Sequence, residues 1–126
     1  MRLLVDSAFV IDYINGVPDA RARWEAVWAD GDEPVVNEIV VCEVRTGTRD
    51  RDVPDLRAFL EPIEFIQPGP DHALLVGRWR AEARANGRHL SLADSLIAAA
   101  ADAADAAVLT RNVREFAMTP VRIETY

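Results

Sequence analysis

Apolar and polar positions alternate between short solid runs and helical stripes. Leu3, Leu4 and Val5 form an apolar run closed by Asp6, and Arg2–Val5 reads as a short buried strand. Residues 7–15 read as a helix with Phe9, Val10, Tyr13 and Ile14 on one side, broken by Gly16, Val17 and Pro18. Residues 19–29 place Trp24, Val27 and Trp28 at helical spacing. A turn at Asp30, Gly31 and Asp32 leads to a short strand over 34–36, and Asn37 caps a helix running to about Gly47. The polar, arginine-rich stretch 48–53 is expected as a loop. A short helix over 55–60, a strand over 63–66 and a long helix over Pro70–Ala85 follow, the last ended by Asn86 and Gly87. An Ala-rich helix is expected over 91–104 and a second buried strand over 107–110. One helical turn over Val113–Phe116 and a last short strand over 121–123 complete the chain.

Short apolar strands alternating with helices imply an α/β fold, a parallel sheet covered on both faces. The 126 residues, half of them hydrophobic, suit a single domain over 1–126 with its own core. In such sheets ligands bind at the carboxyl ends of the strands, near the switch in strand order. Asp6 lies at the end of the first strand, and Asn112 lies just past the strand ending at Leu109. If those two strands are neighbours, both side chains face one crevice.

Three acids stand where apolar or neutral residues are expected. Asp6 ends the first strand, Glu43 falls among Val36, Ile39, Val40, Val44 and Gly47 on a helical stripe, and Asp94 opens the Ala-rich helix. Lone carboxylates are rarely buried unless paired or bound to metal. Together the three suggest one acidic site for a divalent cation. Each also has a plainer reading. Asp6 can cap the following helix. Glu43 can be solvated or paired with Arg45. Asp94 completes a capping box with Ser91. Asn112 can cap the short helix that follows, and Glu115 can simply be exposed. Hard oxygen ligands favour Mg²⁺ or Mn²⁺, whereas His72 and His89 are not at zinc-ligand spacing.

Composition narrows the partners and mechanisms. The net charge of −7 is the wrong sign for general electrostatic attraction to nucleic acid. Any such contact must be local, through a cation or an arginine cluster. All the basic residues are arginine, which excludes the P-loop, the phosphorylated receiver domain and Schiff-base chemistry. A GC-rich genome accounts equally well for that bias. The single cysteine, Cys42, forbids an internal disulfide and is expected as a small buried hydrophobe. No apolar run approaches the roughly 20 residues of a membrane span, and there is no signal-peptide pattern. The expected location is the cytoplasm.

Four stretches in order carry a family resemblance: Leu3-Leu4-Val5-Asp6-Ser7, Glu43 after Val35-Val36-Asn37-Glu38, Leu90-Ser91-Leu92-Ala93-Asp94-Ser95, and Leu109-Thr110-Arg111-Asn112-Val113-Arg114-Glu115-Phe116. Over nearly its whole length the chain resembles a PIN-domain ribonuclease, specifically the toxin of a VapBC-type toxin–antitoxin pair. The resemblance implies a three-layer α/β/α sandwich and Mg²⁺- or Mn²⁺-dependent RNA cleavage at a metal site of Asp6, Glu43 and Asp94. It gives Ser7 and Thr110 as auxiliary hydroxyls. It further implies a homodimer blocked by a cognate antitoxin, a partner whose basic segment suits an acidic groove. The family often has a fourth acid where this chain has Asn112, a neutral oxygen that neither acts as a base nor adds charge. Glu115 is a candidate to compensate. Arg45, Arg49, Arg111 and Arg114 are candidates to steady flanking phosphates.

Two rivals remain. A phosphotransfer domain with Asp6 as nucleophile predicts a second acid at position 8, where the chain has Ala8, and a lysine, which it lacks. A catalytically weak or inactive PIN-like module that mainly binds a partner is the alternative that Asn112 keeps open.

Overall fold

The computed structural model describes residues 1–126. Five strands, β1 (Arg2–Val5), β2 (Glu33–Val36), β3 (Glu64–Phe65), β4 (Ala107–Leu109) and β5 (Ile123–Glu124), form one parallel sheet in the order β3-β2-β1-β4-β5. Seven helices connect them: α1 (Ser7–Ile14), α2 (Pro18–Ala29), α3 (Glu38–Thr46), α4 (Val53–Leu60), α5 (Pro70–Ala85), α6 (Leu92–Ala103) and α7 (Val113–Phe116). No helix is long and apolar enough to cross a membrane.

The central strands are buried from both sides. Leu3, Leu4, Val5, Val108 and Leu109 are wholly inaccessible, as a parallel strand covered on two faces requires. Pro34 sits inside the sheet because of register. The Glu33 N–H donates to the Met1 carbonyl on the β1 side, so the nitrogen of Pro34 faces the other way. There β3 pairs only with Val35 and Val36, so no ladder bond is lost.

An aromatic cluster joins α1, α2 and α4. The rings of Trp24 and Phe59 stack at 4.7 Å, Tyr13 meets Phe59 at 5.0 Å, and Phe9 meets Tyr126 edge-on at 4.9 Å. Elsewhere α6 presents Ile97 and the run Ala98 to Ala101, all buried, and packs against β1, β4 and α5. Side chains this small let α6 approach the sheet closely, which brings its first turn to the strand ends.

Several sequence expectations shift. The stretch expected as a loop over 48–53 contains a 3-10 turn at Asp50–Asp52, held by Arg45–Asp50 at 2.6 Å and Arg49–Asp52 at 2.8 Å. The two outer strands are shorter than expected, and β5 begins two residues late. Cys42 is exposed rather than buried, because α3 turns Val40 and Val44 inward and position 42 lies on the opposite side of the helix.

Candidate active site

The strand order reverses between β1 and β4, and the first residues beyond those strands, Asp6 and Thr110, meet there. The Asp6 N–H donates to the Leu109 carbonyl at 3.1 Å. The Asp6 carboxylate is 2 % exposed. Its Oδ2 accepts from the Thr110 hydroxyl at 2.7 Å, and its Oδ1 accepts from the Ser7 N–H at 2.8 Å. Asp6 therefore caps α1 and also faces the crevice, so the two readings of this residue are compatible. Burial pushes its carboxyl up to about 6, against those two hydrogen bonds, and the charges of Asp94 and Glu43 add to the rise.

Glu43 is exposed, at the edge of the buried stripe of α3. It is not paired with Arg45, which is engaged with Asp50 and the Thr48 carbonyl. Its Oε1 accepts from the Ser7 hydroxyl at 3.0 Å, and the same hydroxyl lies 3.4 Å from Asp6 Oδ1. Asp94 forms half a capping box. Its N–H donates to Ser91 Oγ at 3.1 Å, while its carboxylate takes no part in the cap or in any ion pair. The two helices that carry Glu43 and Asp94 are tied together at Asn37. Its Oδ1 accepts from the Val40 N–H at 3.1 Å, and its Nδ2 donates to the Leu96 carbonyl at 3.3 Å.

These side chains fit a hard divalent cation by chemistry rather than by a closed cage. No three acidic, histidine or cysteine side chains converge tightly enough to enclose a metal alone. Mg²⁺ does not require that, since it commonly takes one or two carboxylates and fills its shell with water and phosphate. Asp6, its carboxyl raised first by burial and further by Asp94 and Glu43, has no cationic partner in the chain.

Asn112 does not cap α7 with its side chain. Its backbone N–H donates to Thr110 Oγ1 at 2.8 Å, which places the residue one hydroxyl away from Asp6. Glu115, on α7, is half-buried and does not reach the Asp6 hydrogen-bond network. Of the arginines expected to steady phosphates, Arg45, Arg49 and Arg111 are tied to Asp50, Asp52 and Asp12, while Arg114 carries no ion pair.

One cluster escaped sequence reasoning. Asp12 is 5 % exposed, accepts from the Tyr126 hydroxyl at 2.6 Å and forms an ion pair with Arg111 at 2.9 Å. Burial, then the bond to Asp12, pushes the Tyr126 hydroxyl far above its usual range, so it remains a donor. The signal was present: Asp12 lies about 60° from Phe9 around α1, at the margin of the apolar stripe.

Comparison with known proteins settles the family. The PIN-domain profile matches residues 3–120. The chain belongs to the PIN-domain family. Ribonuclease VapC19 of Mycobacterium tuberculosis is 32% identical over 117 residues, spanning 93% of this chain and 94% of that protein. Among solved structures, VapBC2 from Rickettsia felis, bound to a DNA fragment from its promoter, superposes with a TM-score of 0.86 at 25% identity, covering 100% of this chain and 99% of the matched chain. A toxin–antitoxin complex from Klebsiella pneumoniae gives 0.78 at 25% identity, covering 97% and 96%. The α/β PIN fold expected from the sequence is therefore the fold of this PIN-domain protein, and it is a homologue of a VapC ribonuclease.

Proposed function

We propose that this PIN-domain protein is a divalent-cation-dependent endoribonuclease and the toxin of a toxin–antitoxin pair. The observation that carries the reading is buried Asp6 at the β1/β4 switch point, within the field of both Glu43 and Asp94 and with no cationic side chain paired to it. In this reading Asp6, Glu43 and Asp94 hold Mg²⁺ or Mn²⁺. The bound cation supplies a lowered water pKa and a counter-charge for the phosphate. Thr110 holds Asp6 Oδ2, Ser7 bridges Asp6 to Glu43, and the turn at Asn112 keeps the Thr110 hydroxyl aimed at Asp6.

Similarity to a VapC ribonuclease and to toxin–antitoxin complexes supports RNA as substrate and an antitoxin as partner. The net charge of −7 suits a basic antitoxin segment. A groove of about 300 Å³ beside α1 and the end of α3, lined by Ile11, Ile14, Val44 and Thr48, offers it apolar surface. The active form is proposed as a homodimer.

The test is cleavage of a mixed structured-RNA pool by purified, antitoxin-free protein with Mn²⁺ or with EDTA, beside Asp94→Asn. Cutting is expected with Mn²⁺ only, slowed at least about a hundredfold in the variant, with unfolding unchanged. Normal cutting by Asp94→Asn reduces Asp94 to part of a helix cap. No cutting with any metal favours the partner-binding module with Asn112 in place of an acid.

A further inference from the structure

Outside the acidic site, one cavity of about 680 Å³ is lined by Arg88, His89 and Arg114, with Glu115 and Met118 in its wall. Neither Arg88 nor Arg114 is engaged by a carboxylate, in a chain whose 21 acids outnumber its 14 arginines; the exposed Arg45, Arg49 and Arg111 are each paired with an acid. His89 is likewise without a side-chain partner, and Glu115 contributes a single negative charge against two guanidiniums.

The walls are preformed. Gly87 turns the chain with a φ of 70°, the Arg88 N–H donates to the Ala83 carbonyl at 2.8 Å, and Arg80 Nε donates to the Leu90 carbonyl at 3.1 Å. On the other side Phe116 is fully buried, and the Thr119 hydroxyl donates to its carbonyl at 2.7 Å. The cavity also adjoins the acidic site through the chain. Arg88 and His89 lie in the loop leading into α6, which bears Asp94, and Arg114 follows the turn at Thr110 and Asn112. The helices α6 and α7 pack together.

We propose that this cavity is a subsite for a backbone phosphate of single-stranded RNA flanking the cleaved bond. The inference rests on the ribonuclease reading and names where its substrate strand is gripped. A guanidinium fork matches a phosphate in two parallel hydrogen bonds. In a molecule of net charge −7, a local cluster of unpaired cations is the feature that draws in a polyanion, and the acidic crevice alone would repel it.

The experiment measures binding of a mixed-sequence single-stranded RNA oligonucleotide to the full chain carrying Asp94→Asn, across a salt series. Arg88→Ala with Arg114→Ala is compared with a charge-matched control, Arg57→Ala with Arg84→Ala, exposed positions of α4 and α5 that carry no ion pair. The cavity variant is expected to bind about tenfold more weakly, with a salt slope shallower by about 0.7, while the control shifts less than about twofold. Equal weakening in the two variants overturns the subsite, since any lost charge then suffices. Displacement of RNA by poly-glutamate at matched charge also overturns it, in favour of an acidic protein partner. Cleavage by the chain with Asp94 intact, combined with unaltered affinity in the cavity variant, removes the subsite alone. Absence of both RNA binding and cleavage in the parent chain removes the ribonuclease reading beneath it.

Discussion

Asp6→Asn is expected to stabilise the metal-free protein at alkaline pH while abolishing cleavage. Burial, with Asp94 and Glu43 adding to it, raises the Asp6 carboxyl from 3.8 to about 6. A shift of about two units corresponds to roughly 3 kcal/mol. Because the folded value lies above the unfolded one, the associated stability is fully present below about pH 4 and is lost as pH rises through about 6. At pH 8 the parent chain folds around an ionised, uncompensated carboxylate. The amide removes that charge but exchanges the charge-assisted bond from Thr110 for a neutral one, a loss of about 1 kcal/mol. The expected net gain is about 2 kcal/mol at pH 8, shrinking by about 1.5 kcal/mol at pH 5, where the parent carboxyl is mostly protonated when folded.

Urea unfolding in EDTA at both pH values, with parent and variant side by side, measures this directly. Contributions from other titrating groups cancel in the difference between the two proteins. Mn²⁺ added at pH 8 should then raise the stability of the parent and leave the variant nearly unmoved. A variant less stable than the parent at pH 8, with a gap that does not change between pH 5 and pH 8, would refute the argument. Asp6 would then be an ordinary cap whose charge costs the fold nothing.

Tyr126→Phe removes the hydroxyl that donates to buried Asp12 at 2.6 Å and leaves Arg111 as the remaining partner. Its expected cost is about 1.5–3 kcal/mol, read as a lowered urea midpoint with unchanged slope. Asn112→Asp adds an acid at a position one hydroxyl from Asp6, and Mn²⁺ should bind about tenfold more tightly by isothermal titration, roughly 1.4 kcal/mol. Unchanged Mn²⁺ affinity in that variant would place residue 112 outside the reach of the cation.

The sequence was most legible where the signal is local and strong. The helix over Pro70–Ala85 begins at a proline in its first turn and ends before Asn86-Gly87, and α7 likewise matches its expected bounds. The end of β1 was marked by the apolar run that stops at Asp6, whereas β4 ends at Leu109, one residue short of the strand expected over 107–110. The outer strands were less legible because their extent depends on a neighbour. β3 pairs with only Val35 and Val36, and its Phe65 stays about half exposed. Local pattern carries no record of where a partner strand ends.

For the site, the helical stripe put Glu43 near the core, yet it is exposed and Asp12 is the acid that α1 buries. Both lie at the margin of an apolar stripe. What separates them is tertiary: Asp12 meets Tyr126 and Arg111, each about a hundred residues or more away, whereas Glu43 reaches across only to Ser7. The capping box at Ser91 was half right, since the backbone N–H of Asp94 makes the cap while its carboxylate remains available. A pattern of residue types identifies the cap but does not say which of the two reciprocal bonds will form.

The hydrogen count at the site explains why a cation belongs in the argument. The Ser7 hydroxyl has one proton, and it lies 3.0 Å from Glu43 and 3.4 Å from Asp6. It favours Glu43, so Asp6 Oδ1 relies on the Ser7 N–H and Oδ2 on the Thr110 hydroxyl. Those neutral donors do not offset burial, because the carboxyl still stands near 6. The chain could have placed an arginine here, and it places Arg111 against Asp12 instead, one residue past Thr110. The site thus keeps an unmet negative charge worth roughly 3 kcal/mol. A ligand at a hundred times its Kd returns about 2.7 kcal/mol to the folded state. Folding and cation binding are therefore coupled at Asp6, and the charge that weakens the empty fold is the charge that recruits the ion.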